Sequence, residues 1–189
     1  MEKIKSLFQR NYESDRLVRN EIVPGSEWVI EGDGIATKKF DGTCCKVESG
    51  VLYKRYDVKK GKTPPMGFIA AQEPDENTGH WPGWVKVGDG PDDKYHREAF
   101  KGDEQDGMYE LCGPKIQGNP EKFSFHVLIP HGKEILIAPR TFEELKQWFV
   151  DKNIEGIVWH NKDGRMVKIK AKDFGLKRNA PNVVQLSSV

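Results

Sequence analysis

The sequence predicts an α+β fold, with two antiparallel sheets flanked by helices. Three observations carry this. Short apolar or alternating runs recur along the chain, each closed by Gly, Pro, Asn or Asp, as strands joined by tight turns are. Two such runs, residues 154–160 and 165–172, flank Asn161-Lys162-Asp163-Gly164, a hairpin signal. One stretch has helical spacing and a start signal. Thr141 precedes the stripe Phe142, Leu145, Trp148 and Phe149, and Glu144 stands three residues after it, as in a capping box.

A chain of 189 residues suits one ordinary domain, spanning 1–189, with a core of its own. Its 30 basic and 29 acidic residues leave a net charge of +1, so contact with nucleic acid is expected from a local patch. No apolar run is long enough for a membrane span or a signal segment, which predicts a soluble protein that is not exported. The three cysteines, Cys44, Cys45 and Cys112, are odd in number and two are adjacent. That argues against a disulfide framework and for a reducing, cytoplasmic setting. They read as small strand or core residues. With no Cys-x-x-Cys and five scattered histidines, no structural zinc site is expected.

Taken in order, Ile4, Leu7 and Phe8 have helical spacing among lysines and predict a short helix over 1–10. Pro24-Gly25-Ser26 breaks the chain, 28–30 read as a strand, and 31–34 as a turn. Residues 35–37 lead into Lys38 and Lys39. Val51 to Val58 predict a strand with Tyr53, Arg55 and Asp57 on one face. Between 59 and 107 only 83–87 carry a strand signal, and the acidic 88–107 read as a solvated excursion. Residues 108–113 predict a strand, with Glu110 and Cys112 facing away from Tyr109 and Leu111. Residues 123–130 read as a buried strand, His131-Gly132 as a turn, and 135–137 as its continuation.

If Asp163 and Gly164 are the two turn residues of the hairpin, Trp159 pairs with Lys168 and Ile157 with Lys170. Glu155, Ile157 and Trp159 then share a face with both lysines, and Val158, Val167 and Ile169 turn to the core.

The polar residues fall into a pattern. Lys39-Phe40-Asp41-Gly42 is followed by Arg55, Tyr109-Glu110-Leu111, Glu155-Gly156-Ile157-Val158 and Lys168-Ile169-Lys170. Each piece is common, and Asp-Gly is first of all a turn. Together, in this order and spacing, they resemble the covalent lysine nucleotidyltransferase superfamily. Three longer stretches narrow the likeness: Lys39 through Cys45, Tyr109-Glu110-Leu111-Cys112-Gly113-Pro114-Lys115, and His126-Val127-Leu128-Ile129-Pro130-His131-Gly132. They resemble the RNA ligase 1 family. The resemblance implies a nucleotidyltransferase (ATP-grasp-like) domain whose two sheets enclose a nucleotide cleft. It implies no OB domain, since only 19 residues follow Lys170 and five strands cannot be made from them.

The resemblance also implies an ATP-dependent RNA ligase. Lys39 would attack the α-phosphate of ATP and carry AMP to a 5′-phosphate RNA end, which a 3′-hydroxyl then attacks. A free lysine titrates near 10.4 and is not nucleophilic while protonated. Lys168 and Lys170, with Mg²⁺ (or Mn²⁺), are the cations that would favour its neutral form and offset phosphate charge. Glu155 and Asp41 are the implied metal ligands, both suited to a hard cation. Glu110 would hold the ribose, Arg55 ribose or phosphate, and Phe125 or His126 the adenine. Lys38 and Gly42 flank the nucleotide. Family members commonly carry a glutamate where Lys38 stands, so its backbone is the expected contact. Lys172, Lys177 and Arg178, with Arg10, Arg16 and Arg19, are candidates for RNA contact or plain solubility. A minimal DNA ligase or guanylyltransferase, and an inactive nucleotide- or RNA-binding module, remain the alternatives.

Overall fold

The structure, a computed structural model, describes residues 3–76 and 78–178. In chain order the elements are β1 (Lys5–Ser6), β2 (Phe8–Arg10), β3 (Val18–Ile22), α1 (Glu27–Ile30), β4 (Ile35–Lys39), β5 (Thr43–Glu48) and β6 (Val51–Val58). Then follow β7 (Ile69–Ala70), β8 (Trp81–Lys86), α2 (Lys94–Ala99), β9 (Gly107–Cys112), β10 (Val127–Pro130), α3 (Phe142–Val150), β11 (Gly156–His160) and β12 (Met166–Lys170). Short 3-10 turns cover Pro91–Asp93 and Ala171–Phe174.

The chain divides into two compact units. Of the described residues, a terminal unit holds Ile4–Lys39 and 134–178, and a central unit holds Phe40–Lys133 with Lys3. The chain passes from one to the other between Lys39 and Phe40, inside the Lys-Phe-Asp-Gly motif.

In the terminal unit four strands run in the order β1-β12-β11-β4. β11 is antiparallel to both neighbours, while β1 joins β12 in parallel. One face of this sheet buries Ala36, Ile157, Trp159, Val167 and Ile169 against Leu7, Phe8, Leu145, Phe149 and Phe174. The stripe expected on α3 supplies Leu145 and Phe149, both fully buried. Each such side chain contributes about 1.5–3 kcal/mol. Phe8, Phe142 and Phe174 meet edge to face at 5.1 and 5.2 Å. Thr141 precedes α3, but its hydroxyl donates to the Glu144 carboxylate at 2.6 Å rather than capping a backbone N–H.

The central unit is one antiparallel sheet in the order β10-β9-β5-β6-β8-β7. Cys45, Val47, Leu52, Tyr109, Leu111 and Leu128 bury one face, covered by Ala99 with Tyr95 and Phe100. Across both units the described residues form open sheets with few helices and no barrel.

Several expectations are corrected. Residues 5–10 are strands, not a helix. Leu7 and Phe8 are adjacent and both buried, and β1 pairs along the edge of β12. Residues 27–30 form a single helical turn with Trp28 and Val29 buried, a case where a short apolar run does not fix the period. The stretch 88–107 is not all solvated: it contains α2, and Asp93, His96 and Ala99 are buried. The strand read over 123–130 is confined to Val127–Pro130. Residues 134–136 do not extend it but lie along β4, through Leu136 N–H to the Ala36 carbonyl and a bridge between Thr37 and Ile135.

The hairpin register shifts by one residue. Ile157 pairs with Ile169, Val158 with Lys168, and Gly156 with Lys170. The loop has three residues, not two. Asn161 N–H donates to the Arg165 carbonyl, Gly164 N–H returns to the Asn161 carbonyl, and Gly164 sits at φ +88°. That is the three-residue hairpin in which a left-handed residue closes the turn. The slip sends Ile157 and Trp159, not Val158, into the core.

Candidate active site

The ladder of the terminal unit sets its polar face. Lys39 pairs with Gly156, and Gly156 with Lys170; two residues along, Thr37 pairs with Val158, and Val158 with Lys168. Directly opposed residues on neighbouring strands share a face. Lys39, Lys168 and Lys170, read as the catalytic lysines, therefore stand on one side of the sheet and its aromatic core on the other. Lys38 falls on the opposite side, where its ammonium lies 3.6 Å from Glu134 and its N–H donates to the Glu134 carbonyl.

Gly156 stands between the two lysines that end their strands. A Cβ there would meet the Ile169 carbonyl oxygen at 2.3 Å, so only glycine lets β11 approach β12 this closely. Glu155 precedes it, and its carbonyl accepts from Ala171 N–H. The Glu155 carboxylate bridges the lysines: Oε2 accepts from Lys39 Nζ at 2.5 Å and Oε1 from Lys170 Nζ at 2.6 Å. Burial works to raise the pKa of this carboxyl, but the pull of Lys39 and Lys170 outweighs it and holds it below the ordinary value. The end of β12 is pinned as well, since Lys170 N–H donates to Asp173, which pairs with Arg10.

In the central unit Gly42 leads into β5 against β9. A Cβ there would meet the Leu111 carbonyl at 2.2 Å and the Glu110 side chain at 2.9 Å. Asp41 N–H donates to Glu121 at 3.0 Å. Glu110 opposes Cys44 on β5, and Arg55 opposes Trp84 on β8. Glu110 and Cys112 lie on the face away from Tyr109 and Leu111, as expected from alternation. The Arg55 guanidinium stacks 4.9 Å above the Trp84 ring. Burial lowers its pKa while the nearby Cys44 and Asp57 work to raise it. The Glu110 carboxylate accepts from His131 Nε2 at 3.1 Å.

Phe125 and His126 line a cavity of about 670 Å³ with Glu98, Lys101, Pro114 and Leu128. The His126 ring stacks on Tyr95 of α2, centroids 4.5 Å apart, and its Nδ1 lies 2.8 Å from Glu98. It is thus tied to the helix that covers the core face of the sheet, the face opposite Glu110. Phe125 is exposed. Among the basic residues weighed for RNA, Arg10 is paired with Asp173, Arg19 with Asp15, and Arg178 bonds Asn153.

Sequence reasoning missed His131, which follows β10 at the point where its N–H bonds the Met108 carbonyl. It stood as a turn residue and within the 126–132 stretch that carries the resemblance, with no role assigned. The support of Arg55 by Trp84 was also missed, because it depends on the pairing of β6 with β8.

Lys39, Lys168 and Lys170 on one face, two of them sharing the Glu155 carboxylate, give this open sheet a cationic polar face. Residues 99–188 match the family model described as RNA ligase 1. RNA ligase 1 of Pongo abelii is 30% identical, over 75% of this chain and 67% of its own length. Those of Mus musculus and Danio rerio are 29% and 28% identical, over 80% and 75% of this chain and 71% and 67% of theirs. The chain belongs to the RNA ligase 1 family.

Proposed function

We propose that the chain is an ATP-dependent RNA ligase with Lys39 as its nucleophile. The observation that carries the reading is the bridge from Lys39 through Glu155 to Lys170, on the face that also bears Lys168. Lys39 loses its proton and attacks the α-phosphorus of ATP, forming a phosphorus–nitrogen bond as pyrophosphate leaves. An oxygen of a 5′-phosphorylated RNA end then attacks the same phosphorus, and Lys39 departs and regains a proton. The RNA 3′-hydroxyl attacks the adenylylated end, its proton is lost, and AMP leaves. Lys168 and Lys170 offset the charge that gathers on the phosphates. In the central unit Glu110 accepts from ribose hydroxyls, and Arg55 pairs with ribose or phosphate through its fork.

Resting Lys39 is held as an ammonium against Glu155, so the amine is released only when that pair opens. On opening, the Lys39 proton passes to Glu155 or to water, and the neighbouring cations Lys168 and Lys170 favour the neutral amine. Magnesium supplies phosphate charge neutralisation in such chemistry. Both oxygens of Glu155 already accept from lysines, so Glu155 alone is not a magnesium site here. The ion is better carried in by the triphosphate.

The test is one gel. The protein is incubated with labelled ATP or GTP and Mg²⁺, then denatured. Label from ATP that vanishes in Lys39→Ala supports the reading. Label from GTP instead points to guanylyl transfer, and no label to a binding module. Sealing of a nicked RNA but not a nicked DNA then fixes the substrate.

A further inference from the structure

We propose that Cys44, Glu110 and His131 of the central unit form a binding site for a thiophilic divalent cation such as zinc. The sheet assembles it. Cys44 of β5 and Glu110 of β9 are direct partners on the ladder, and His131 follows β10, the next strand. One ligand atom from each lies within 4.8 Å of the other two, and His131 Nε2 is already 3.1 Å from Glu110. Zinc bonds of about 2.0–2.3 Å in a tetrahedron put ligand atoms roughly 3.3–3.8 Å apart. Closure therefore takes movements of about 1 Å, within reach of side-chain rotation.

The donors choose the metal. Sulfur, imidazole nitrogen and one carboxylate suit zinc or cobalt, whereas magnesium takes an oxygen shell. Three protein ligands leave a fourth position open to water or a ligand oxygen. Charge closes as well: a thiolate and a carboxylate neutralise the divalent ion. The Arg55 guanidinium lies close enough to Cys44 for the two to interact electrostatically. Glu110 is 8% exposed, so the carboxylate is screened from bulk water. No metal spacing in the sequence announces this site, because its ligands come from three separate elements.

The site stands whether or not the ligase reading does. If Glu110 also holds the ribose, as that reading has it, a thiophilic ion and the nucleotide compete for one carboxylate.

The test uses the reduced full chain, stripped with chelator and titrated with cobalt(II). The expected result is one cobalt per chain, with a near-ultraviolet sulfur-to-cobalt band and the visible bands of a four-coordinate ion. Zinc should displace it and excess magnesium should not. Cys44→Ser should lose the sulfur band, and Cys112→Ser should keep it. His131→Ala should weaken binding by roughly tenfold or more, at least what a lost supporting partner costs. The wild-type spectrum decides even where a variant misfolds. Absence of a sulfur band in wild type, its persistence in Cys44→Ser, or displacement by magnesium overturns the proposal.

Discussion

The two units build their polar faces by the same means and leave them in different electrical states. In the terminal unit one carboxylate, Glu155, is shared by two ammonium groups, with Lys168 on the same face. Cations outnumber the anion. In the central unit Glu110, Cys44, His131 and Arg55 mix an acid, a thiol, an imidazole and a guanidinium, with Lys46 and Lys86 on the same face. On the proposed reading the first face meets phosphates and the second a ribose or a metal. The difference teaches that register, more than composition, assigns charge to each face. The chain as a whole carries a net charge of only +1.

The sharpest break comes from Lys39→Ala. It should abolish labelling by ATP while lowering the melting temperature by no more than a few degrees, because Glu155 keeps Lys170. A large loss of thermal stability would make Lys39 structural and remove the contrast. Next is the pair Glu155→Gln and Glu110→Gln. The first leaves two partly buried ammonium groups facing each other without an anion and should cost about 3 kcal/mol, together with adenylylation. The second leaves a single imidazole, which can stay neutral, and should cost about 1 kcal/mol. Urea denaturation of both variants checks this; equal losses would erase the distinction between the faces.

Where the units ought to agree is at their glycines. Gly42→Ala and Gly156→Ala each drive a Cβ to within 2.2 and 2.3 Å of a backbone carbonyl. Each should cost about 2 kcal/mol, as overpacking does. A neutral effect at either position on the urea midpoint would mean that the neighbouring strand gives way.

How much of this was legible follows the range of the interactions. The strand Val51–Val58, the opposed faces of Glu110 and Tyr109, and the stripe on α3 are local patterns, and they stand as read. The register of β11 against β12 was one residue off, because Asp163-Gly164 signals a hairpin without fixing its loop length. The Asn161 to Arg165 closure settles it. The error moved Ile157 and Trp159 to the wrong face but kept Lys168 and Lys170 together, since residues two apart never separate. Helix α2 was illegible because its burial depends on Tyr95 and Ala99 meeting a sheet made from distant segments. The triad of Cys44, Glu110 and His131 was illegible for the same reason, its members lying far apart in the chain.

Acid gives the finest separation of the units. In the central unit His96 is buried and its pKa is lowered, chiefly by burial and further by Lys54, against the opposing pull of Asp93. Neither ring nitrogen has a hydrogen-bond partner within the protein. The unfolded chain takes up a proton near pH 6.5 and the folded one resists, so stability falls as pH drops through about 6.5 and continues to fall to the lower folded value. In the terminal unit the lowered pKa of Glu155 works in another window. Its contribution is full above about pH 4.3, where the unfolded carboxyl is ionised, and is lost as pH falls from there through the depressed folded value. Urea midpoints measured from pH 7 to 3 should therefore decline in two steps. His96→Asn should flatten the first step and leave the second. Glu155→Gln should leave the first and shrink the second. The remainder of the second includes Asp93 of the central unit, where burial works to raise the carboxyl's pKa but Lys54 and the Gly88 N–H outweigh it and lower it. A single step, untouched by His96→Asn, would mean that the imidazole finds a partner on protonation, and the buried histidine would then mark no difference between the units.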